Sequence, residues 1–380
     1  MPLERLASAL QACCPAVVTA VPGFGVTPVW EALGRPPLSH HEEVACGVAH
    51  GAALTGVRAA SLLKTHGLLK AANQVSSGLS CGVRGGLVHL VFEDPEARHS
   101  DNLLEATPLL QALGLPFLRC EGPPEPVLAE AFSRSEEHGL PVAVVVDGRG
   151  LSLPGPDPDL PRPASGPLPS PVAPRDPQRH LVGPLFAAYQ HEVLQARRSG
   201  RPAGSVPRPP LPPLPDTPAI RAMEPFFQAF RLERPDFVAG DTSLSSLYGL
   251  PPFGCVDAVT CLGGSLPMAL GALAAGLPEA WALAGDFSFL SMGPLALLEA
   301  VARELPLKGV VFANGVAAAT GGQPVDPRLV ELALAPYASR VLRMDPDQPP
   351  GPVLAQMRRT AGLQLLVVEL AQGSAPQGAP

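Results

Sequence analysis

Residues 280–316 read AWALAGDFSFLSMGPLALLEAVARELPLKGVVFANGV, two short apolar runs separated by a longer apolar stretch. The runs Ala280–Ala284 and Lys308–Ala313 have the length and composition of buried parallel strands. Between them the pattern predicts a helix over Pro294–Arg303, which opens with proline at a favoured first-turn position. A strand, a helix and a strand in this order form the repeating unit of a parallel α/β sheet.

The same alternation of strands and helices continues on both sides of this segment. Helices are predicted over Glu43–Leu54, where Val44, Val48 and Ala52 share one face, and over Ser265–Ala275. Further strands are predicted at Val17–Val21, Ala59–Leu63, Leu87–Phe92, Val142–Val146, Phe237–Ala239, Ala258–Leu262 and Leu365–Leu370. The rhythm predicts two α/β domains, each with a parallel, Rossmann-like sheet.

Proline clusters such as LPGPDPDLPRP and RPPLPPLPDTP separate the two halves and indicate a linker. Within it, residues 180–198 keep apolar residues at near-helical spacing, so one helix is expected there. We therefore expect domains at residues 1–150 and 221–372, a proline-rich linker at 151–220 and a disordered tail at 373–380.

Composition and charge exclude several classes of function. The formal net charge is −7, so the chain has no basic field for a nucleic-acid backbone. No apolar stretch approaches the roughly 20 residues that span a membrane, and the first residues, MPLERLASAL, do not resemble a signal peptide. The seven cysteines show no CxxC or CxxH spacing, which argues against zinc or iron–sulfur ligation. We expect a reduced, cytoplasmic protein without nucleic-acid or membrane partners.

Two polar residues follow the two predicted strands of segment 280–316. Asp286 comes after the first strand, and Asn314 comes about thirty residues later, after the second. Neighbouring parallel strands end at the same edge of a sheet, so these side chains should lie close together. A carboxylate, an amide oxygen and a nearby carbonyl suit Mg²⁺, and Gly285 and Ser288 would offer close backbone approach and a hydroxyl donor to a diphosphate. The alternative is a capping Asp and a turn Asn with local roles only.

The spacing of GD and N resembles the cofactor motif of the thiamine diphosphate enzyme superfamily. CVDAVTCLGGSLPMALG, GDFSFLSMG and ANGVAAATGGQP resemble the α-subunit of indolepyruvate ferredoxin oxidoreductase, without its ferredoxin region. TGGQ and the length resemble phosphonopyruvate and sulfopyruvate decarboxylases equally. VVTAVPGFGVTPVWEAL and HHEEVACGVAHGAALTG resemble the pyrimidine-binding domain of the same enzymes. The resemblance implies that 1–150 is the pyrimidine-binding domain and 221–372 the diphosphate-binding domain, both of the thiamine diphosphate-binding fold.

The resemblance also implies the site residues of the second domain. Asp286, Asn314 and the Val316 carbonyl would hold Mg²⁺. Leu262 would be the apolar wedge that bends thiamine diphosphate, and Phe287 stands where the family has a small residue, which puts cofactor affinity in doubt. The remaining implied cofactor neighbours are Thr260, Gly263, Gly285 and Ser288. Candidate neighbours of the diphosphate also follow another predicted strand, namely Gly240, Asp241, Thr242 and Ser243.

In the first domain, the resemblance implies that Glu42 hydrogen-bonds the aminopyrimidine ring and so generates the carbon nucleophile. His41 and His66 are candidates for proton transfer, although each could equally be a surface or core histidine. Lys64 and Gln323 are substrate-side candidates, and Lys64 could instead simply end a strand. Glu42 could be an ordinary first-turn glutamate favoured by the helix dipole.

The resemblance, with these residues, implies thiamine diphosphate- and Mg²⁺-dependent decarboxylation of a small 2-oxo acid through an enamine intermediate. It also implies a homodimer or homotetramer. One alternative is the catalytic subunit of an indolepyruvate-type oxidoreductase, whose electrons would leave through a separate redox subunit. The other alternative is a non-catalytic paralogue with a scaffolding role, which Phe287 suggests.

Overall fold

The computed structural model describes residues 3–150, 170–174 and 184–370. The chain divides into two compact units, Met1–Val172 with Leu194–Ser205 and Ala173–Val193 with Val206–Pro380. Both are α/β units built on a parallel sheet, as predicted. The predicted tail lies outside the described residues, as do residues 180–183 of the predicted linker helix, of which Pro184–Arg198 is helical.

The first unit contains a five-stranded parallel sheet in the order β1-β2-β3-β5-β4. Its central strands are apolar and buried, and helices cover them, so both faces of the sheet belong to the core. The strands are β1 (Val17–Ala20), β2 (Ala59–Lys64), β3 (Leu87–Glu93), β4 (Phe117–Arg119) and β5 (Val142–Asp147). The helices are α1 (Leu3–Ala12), α2 (Val26–Ala32), α3 (Glu42–Leu54), α4 (Thr65–Lys70), α5 (Ala72–Cys81), α6 (Ala106–Leu113) and α7 (Pro124–His138). Helix α8 (Pro184–Arg198) contributes residues to both units.

The second unit contains a six-stranded parallel sheet in the order β12-β13-β9-β8-β6-β7 and a two-stranded hairpin, β10-β11. The strands are β6 (Phe237–Gly240), β7 (Ala258–Val259), β8 (Ala280–Gly285), β9 (Lys308–Ala313), β10 (Val316–Ala317), β11 (Gln323–Pro324), β12 (Val341–Met344) and β13 (Gln364–Glu369). The helices are α9 (Pro218–Phe230), α10 (Ser265–Ala274), α11 (Asp286–Ala302), α12 (Pro327–Leu334) and α13 (Pro350–Arg359). Short 3₁₀ turns include Leu244–Gly249 and Ala318–Thr320.

The helix within segment 280–316 begins earlier than predicted. It starts at Asp286, directly after β8, and Pro294 lies in its interior. Proline there removes a backbone hydrogen bond and costs about 3 kcal/mol. The buried face continues through the proline, with Phe289, Met292 and Ala296 all packed in the core, and this burial holds the helix together.

The strand predicted at Ala258–Leu262 is also shorter than expected and ends at Val259. Thr260 is still hydrogen-bonded to the neighbouring strand β6, since its N–H donates to the Gly240 carbonyl. The chain then turns through Gly263, whose φ is +77°, to enter α10. The turn brings Leu262 to the carboxyl edge of the sheet, where it lines a cavity.

All seven cysteines are thiols, and five of them are buried. Burial raises the pKa of Cys46 and of Cys255 to about 12. Cys14 and Cys120 are only partly buried. In the described part of the chain, every helix is too short or too polar to cross a membrane.

Candidate active site

The candidate site of the second unit lies at the edge of the sheet where three neighbouring strands end. Strands β9, β8 and β6 lie side by side, and the residues that follow them are Asn314, Asp286 and Asp241. Register confirms the alignment, since Gly285 of β8 pairs with Phe312 of β9. The sheet therefore brings together the two residues that the sequence predicted to meet, and it adds a third polar side chain.

Backbone amides fix the carboxylate of Asp286. Its Oδ1 accepts from Phe287 N and its Oδ2 from Gly315 N, both at 2.7 Å. Asn314 is oriented in the same way, because its Oδ1 accepts from Val316 N at 3.2 Å. Burial raises the pKa of Asp286, and the amide donors oppose that rise. The side chains are thus held in place at the start of α11, where the helix dipole favours an anion.

The donor set at this edge fits a hard divalent cation. Across the described residues there is no cluster of three or more His, Cys, Asp or Glu side chains that could hold a metal. Mg²⁺ does not need such a cluster, because it is commonly bound by one or two carboxylates, with substrate phosphates and water completing its shell. Asp286, the Asn314 amide oxygen and the Val316 carbonyl supply oxygen atoms only, so they fit Mg²⁺ when a diphosphate shares it.

A cavity of about 460 Å³ opens at the same edge. Asp286, Asn314 and Val316 line it, and Phe287, a residue that is 47% exposed, lines it as well. The other predicted cofactor residues in its wall are Thr242, Ser243, Leu262, Gly285 and Ser288. Thr260 and Gly263 are buried and do not line the cavity, and Gln323 is exposed on β11 with its amide bonded to Thr320.

A buried hydrogen-bond chain supports the wall of this cavity. Ser288 Oγ donates to Asp241 Oδ2 and accepts from Gly263 N at 2.9 Å. Asp241 Oδ1 accepts from Ser243 N at 3.0 Å. Asp241 therefore joins three segments of the site, the loop after β6, the turn before α10 and the first turn of α11.

Replacing Gly263 with alanine tests how much the site depends on this turn. A Cβ at Gly263 would lie 2.7 Å from Ser288 O and 2.8 Å from Met292 Cβ, in a backbone conformation that favours glycine. We expect the free energy of unfolding to fall by about 3 kcal/mol, measured by denaturant titration. Gly254→Ala is the matched control, because Gly254 also has a positive φ but a Cβ there would meet no described atom within 4 Å. This variant should cost about 1 kcal/mol. Equal losses for the two variants would refute the close packing.

The first unit has a polar cavity at the equivalent edge of its sheet. About 180 Å³ in volume, it lies where β1, β2 and β3 end. Its wall consists of Val21, Pro22, Glu42, Lys64, His66, Gly67, His99, Ser100 and Asp101. Three predicted residues, Glu42, Lys64 and His66, are therefore brought together, whereas His41 lies beside Glu42 at the start of α3 without lining the cavity.

The carboxylate of Glu42 is mostly buried and pairs with an exposed lysine. Glu42 Oε2 lies 2.8 Å from Lys70 Nζ, although not in hydrogen-bond geometry. Lys70 is 51% exposed, so a ligand can displace it at a cost of about 1 kcal/mol or less. The buried Nδ1 atoms of His41 and His66 have no hydrogen-bond partner among the described residues. Burial and then Lys70 lower the pKa of His41, which favours its neutral form.

Lys64 and His66 are held by residues of the polar segment HSDN, at positions 99–102. Lys64 Nζ donates to His99 O and to Ser100 Oγ, both at 2.7 Å. His66 Nε2 lies 2.7 Å from Asn102 Oδ1. The signal in the sequence was the polar composition of this segment, which begins six residues after the end of β3.

Comparison with known sequences finds matches in the second unit. Residues 244–369 match the family described as thiamine pyrophosphate enzyme, C-terminal TPP binding domain. Indolepyruvate oxidoreductase subunit IorA of Methanothermobacter thermautotrophicus is 32% identical over 163 residues, which are 41% of this chain and 25% of that protein. Its counterpart in Methanothermobacter marburgensis is 35% identical over 106 residues, 27% of this chain and 17% of that protein. The matches span a quarter or less of these curated relatives.

Comparison with solved structures extends the similarity to both units. The thiamine diphosphate-dependent 4-hydroxybenzoylformate decarboxylase of Rhodococcus jostii RHA1 superimposes with a TM-score of 0.62 at 16% identity, covering 98% of this chain and 99% of that chain. A putative thiamin diphosphate-dependent enzyme of Mycobacterium smegmatis gives 0.62 at 17% identity, covering 98% and 100%. The chain therefore has the fold of the thiamine diphosphate enzymes along nearly its whole length, and residues 244–369 match their C-terminal cofactor-binding domain in sequence.

Proposed function

We propose that this chain is a thiamine diphosphate- and Mg²⁺-dependent enzyme that decarboxylates a small 2-oxo acid. The observation that carries the proposal is the pair Asp286 and Asn314, fixed by backbone amides beside the 460 Å³ cavity. The match to the TPP binding domain covers both residues. We further propose that the active species is a homodimer or homotetramer, which light scattering of the purified protein tests.

In this proposal the second unit binds the diphosphate end of the cofactor. Asp286, Asn314 and the Val316 carbonyl hold Mg²⁺. Thr242 and Ser243 also line the cavity, and their hydroxyls offer hydrogen-bond donors to the diphosphate. Leu262 supplies an apolar contact in the same wall. Bound thiamine diphosphate supplies a carbon nucleophile and an electron sink for loss of CO₂.

The first unit supplies the acid–base groups. Glu42 offers a mostly buried carboxylate to the aminopyrimidine, after Lys70 has been displaced. The Nδ1 atoms of His41 and His66, which have no hydrogen-bond partner in the described part of the chain, are available to hold or move a proton. Lys64, fixed by His99 and Ser100, keeps one of its three N–H donors for an anionic group of the substrate.

A second candidate function is that of a catalytic subunit in an indolepyruvate-type oxidoreductase. The 32% identity to IorA over 163 residues favours it. In this case the electrons would pass to a separate iron–sulfur subunit. The two functions share the cofactor site and differ in the fate of the electrons.

Calorimetric titration with thiamine diphosphate, with and without Mg²⁺, tests the cofactor site directly. Mg²⁺-dependent binding supports the proposal and justifies measuring CO₂ release from 2-oxo acids with and without an electron acceptor. Release without an acceptor identifies a decarboxylase, and release only with an acceptor identifies an oxidoreductase subunit. Absence of binding at millimolar cofactor would refute both and favour a non-catalytic role, with Phe287 closing the site.

Gly67→Ala provides a test of the Glu42 position that does not alter Glu42 itself. A Cβ at Gly67 would lie 2.8 Å from Glu42 Cγ, so the carboxylate must shift. Because misplacing a catalytic group by about 1 Å can cost a hundredfold, we expect kcat to fall at least tenfold with the fold intact. Gly78→Ala, also in a helix, meets only Pro141 Cγ at 3.6 Å and should leave kcat unchanged. A normal kcat in Gly67→Ala would argue against a catalytic Glu42.

A further inference from the structure

The hydrogen-bond chain behind the cofactor cavity contains a buried acid whose role is not explained by metal binding. Asp241 is fully buried, and its Oδ2 accepts the hydroxyl proton of Ser288. Ser288 is a lining residue of the cavity, directly after the predicted metal ligand and Phe287. A carboxylate so close to a site for an anionic diphosphate opposes binding by repulsion unless it is neutralised.

The hydrogen bonds of Ser288 show why the charge of Asp241 matters for binding. A serine hydroxyl has one proton and two lone pairs. While Asp241 is ionised, that proton is committed to Oδ2, and one lone pair accepts from Gly263 N. Ser288 then has no donor to offer an anion. If Asp241 is protonated, its own O–H can donate to Ser288 Oγ, and the serine proton can turn towards the cavity.

We propose that Asp241 is a positioning residue that takes up a proton when the diphosphate binds, and so converts Ser288 into a donor to that anion. The inference rests on the proposed function, since it takes the cavity as the diphosphate site. The step is balanced: one proton comes from solvent to Asp241, the Asp241 O–H bonds Ser288 Oγ, and the Ser288 O–H bonds a phosphate oxygen. No heavy-atom bond is made or broken.

Burial of Asp241 favours this proton uptake, and the hydrogen-bond donors around its carboxyl oppose it. These donors are neutral, namely the Ser288 and Ser243 hydroxyls and the N–H groups of Ser243 and Gly263. Burial outweighs them and raises the pKa of Asp241 to about 6. An added phosphate charge raises it further, in the direction of protonation at neutral pH.

The titratable side chains of the neighbouring elements are already engaged elsewhere. Strands β7 and β8 have none. On α11, Asp286 accepts from the amides of Phe287 and Gly315. Tyr248 donates its hydroxyl to Ile220 O, and Cys261, in the turn before α10, lies 3.8 Å from Thr260 Oγ1. The carboxylate Asp257 is at the opposite end of β6, bonded to Arg234 and to Val238 N.

Calorimetry with Mg²⁺ and inorganic pyrophosphate measures the proposed proton directly. Titrations of the full chain at pH 7.5 in two buffers of different ionisation enthalpy give the number of protons taken up. We expect wild type to take up close to one proton more than Asp241→Asn. The Asn amide can donate to Ser288 Oγ at every pH, so this variant should bind pyrophosphate at pH 8 about tenfold more tightly than wild type. Between pH 7 and pH 8, the pyrophosphate affinity of wild type should fall by up to tenfold, because binding takes up a proton. The affinity of Asp241→Asn should fall less over the same range.

Two further variants separate this role from a general structural one. Ser288→Ala should lose the extra proton and bind more weakly. Asp257→Asn alters another buried acid of the same unit, whose pKa burial also raises to about 6, and should keep the wild-type uptake. Equal uptake in wild type and Asp241→Asn, or weaker binding by Asp241→Asn at pH 8, would overturn the inference.

The same titrations distinguish failure of the inference from failure of the proposed function. Pyrophosphate binding with proton uptake, but no binding of thiamine diphosphate, would support the role of Asp241 and refute the function. Binding of both ligands without a difference in uptake would refute only the role of Asp241. If neither ligand binds, both proposals are wrong.

Discussion

Replacing Asp286 with alanine is expected to weaken Mg²⁺-dependent binding of thiamine diphosphate at least a hundredfold. Asp286 is the one carboxylate in the proposed ligand set, and its loss also leaves the amides of Phe287 and Gly315 without their acceptor. Calorimetry with and without Mg²⁺ measures the effect.

Two variants control for unfolding in this experiment. Asp286→Asn keeps an acceptor oxygen for one of the two amides but removes the charge, and we expect it to bind Mg²⁺ poorly while losing less stability than Asp286→Ala. Asp347→Ala removes an exposed carboxylate from the segment between β12 and α13 and should bind normally. Unchanged cofactor affinity in Asp286→Ala would exclude this edge of the sheet as the metal site.

Replacing Glu42 with glutamine should lower kcat by a factor of about 10² to 10⁴, the usual contribution of a positioned acid–base group. The amide has the size of the carboxylate but cannot exchange a proton. It also loses the ion pair with Lys70, which costs little because Lys70 is exposed. Stability should therefore change by less than about 1 kcal/mol, and the loss should appear in kcat.

Glu43→Gln is the matched control, since Glu43 is the next residue of the same helix turn. Its Oε1 accepts from Asn73 Nδ2 at 3.1 Å, and it does not line the cavity. We expect near-normal kcat. If the two variants lost activity equally, the general negative charge at the start of α3 would be responsible, and Glu42 would have no specific acid–base role.

Much of the fold could be predicted because buried parallel strands have continuous apolar sequences. VVTA, LVHLVFE and KGVVFA are such runs, and each is a strand of the structure. β4 and β12 were not predicted. β4 has three partly buried residues, and β12 contains the exposed Arg343, so neither edge strand has an apolar pattern. The helix start before Pro294 was missed because tertiary burial overrides the local signal of proline.

The site could be predicted where it depends on strand ends and not where it depends on packing between helices. Asp286 and Asn314 each follow an apolar run, so their meeting is a consequence of topology. The contacts of Glu42 with Lys70 and Gly67 join α3 to α4, and no periodicity indicates which residues of two helices will touch. The buried bond between Asp241 and Ser288 likewise depends on the turn at Gly263.

The buried thiols have a practical consequence for studying this chain. Cys46 and Cys81 are buried in the first unit, and Cys255 and Cys261 in the second. A thiol with a pKa near 12 barely reacts with alkylating reagents until the surrounding structure opens. Pulsed alkylation followed by peptide mass spectrometry would thus time the opening of each unit from its own cysteines, without introducing any label.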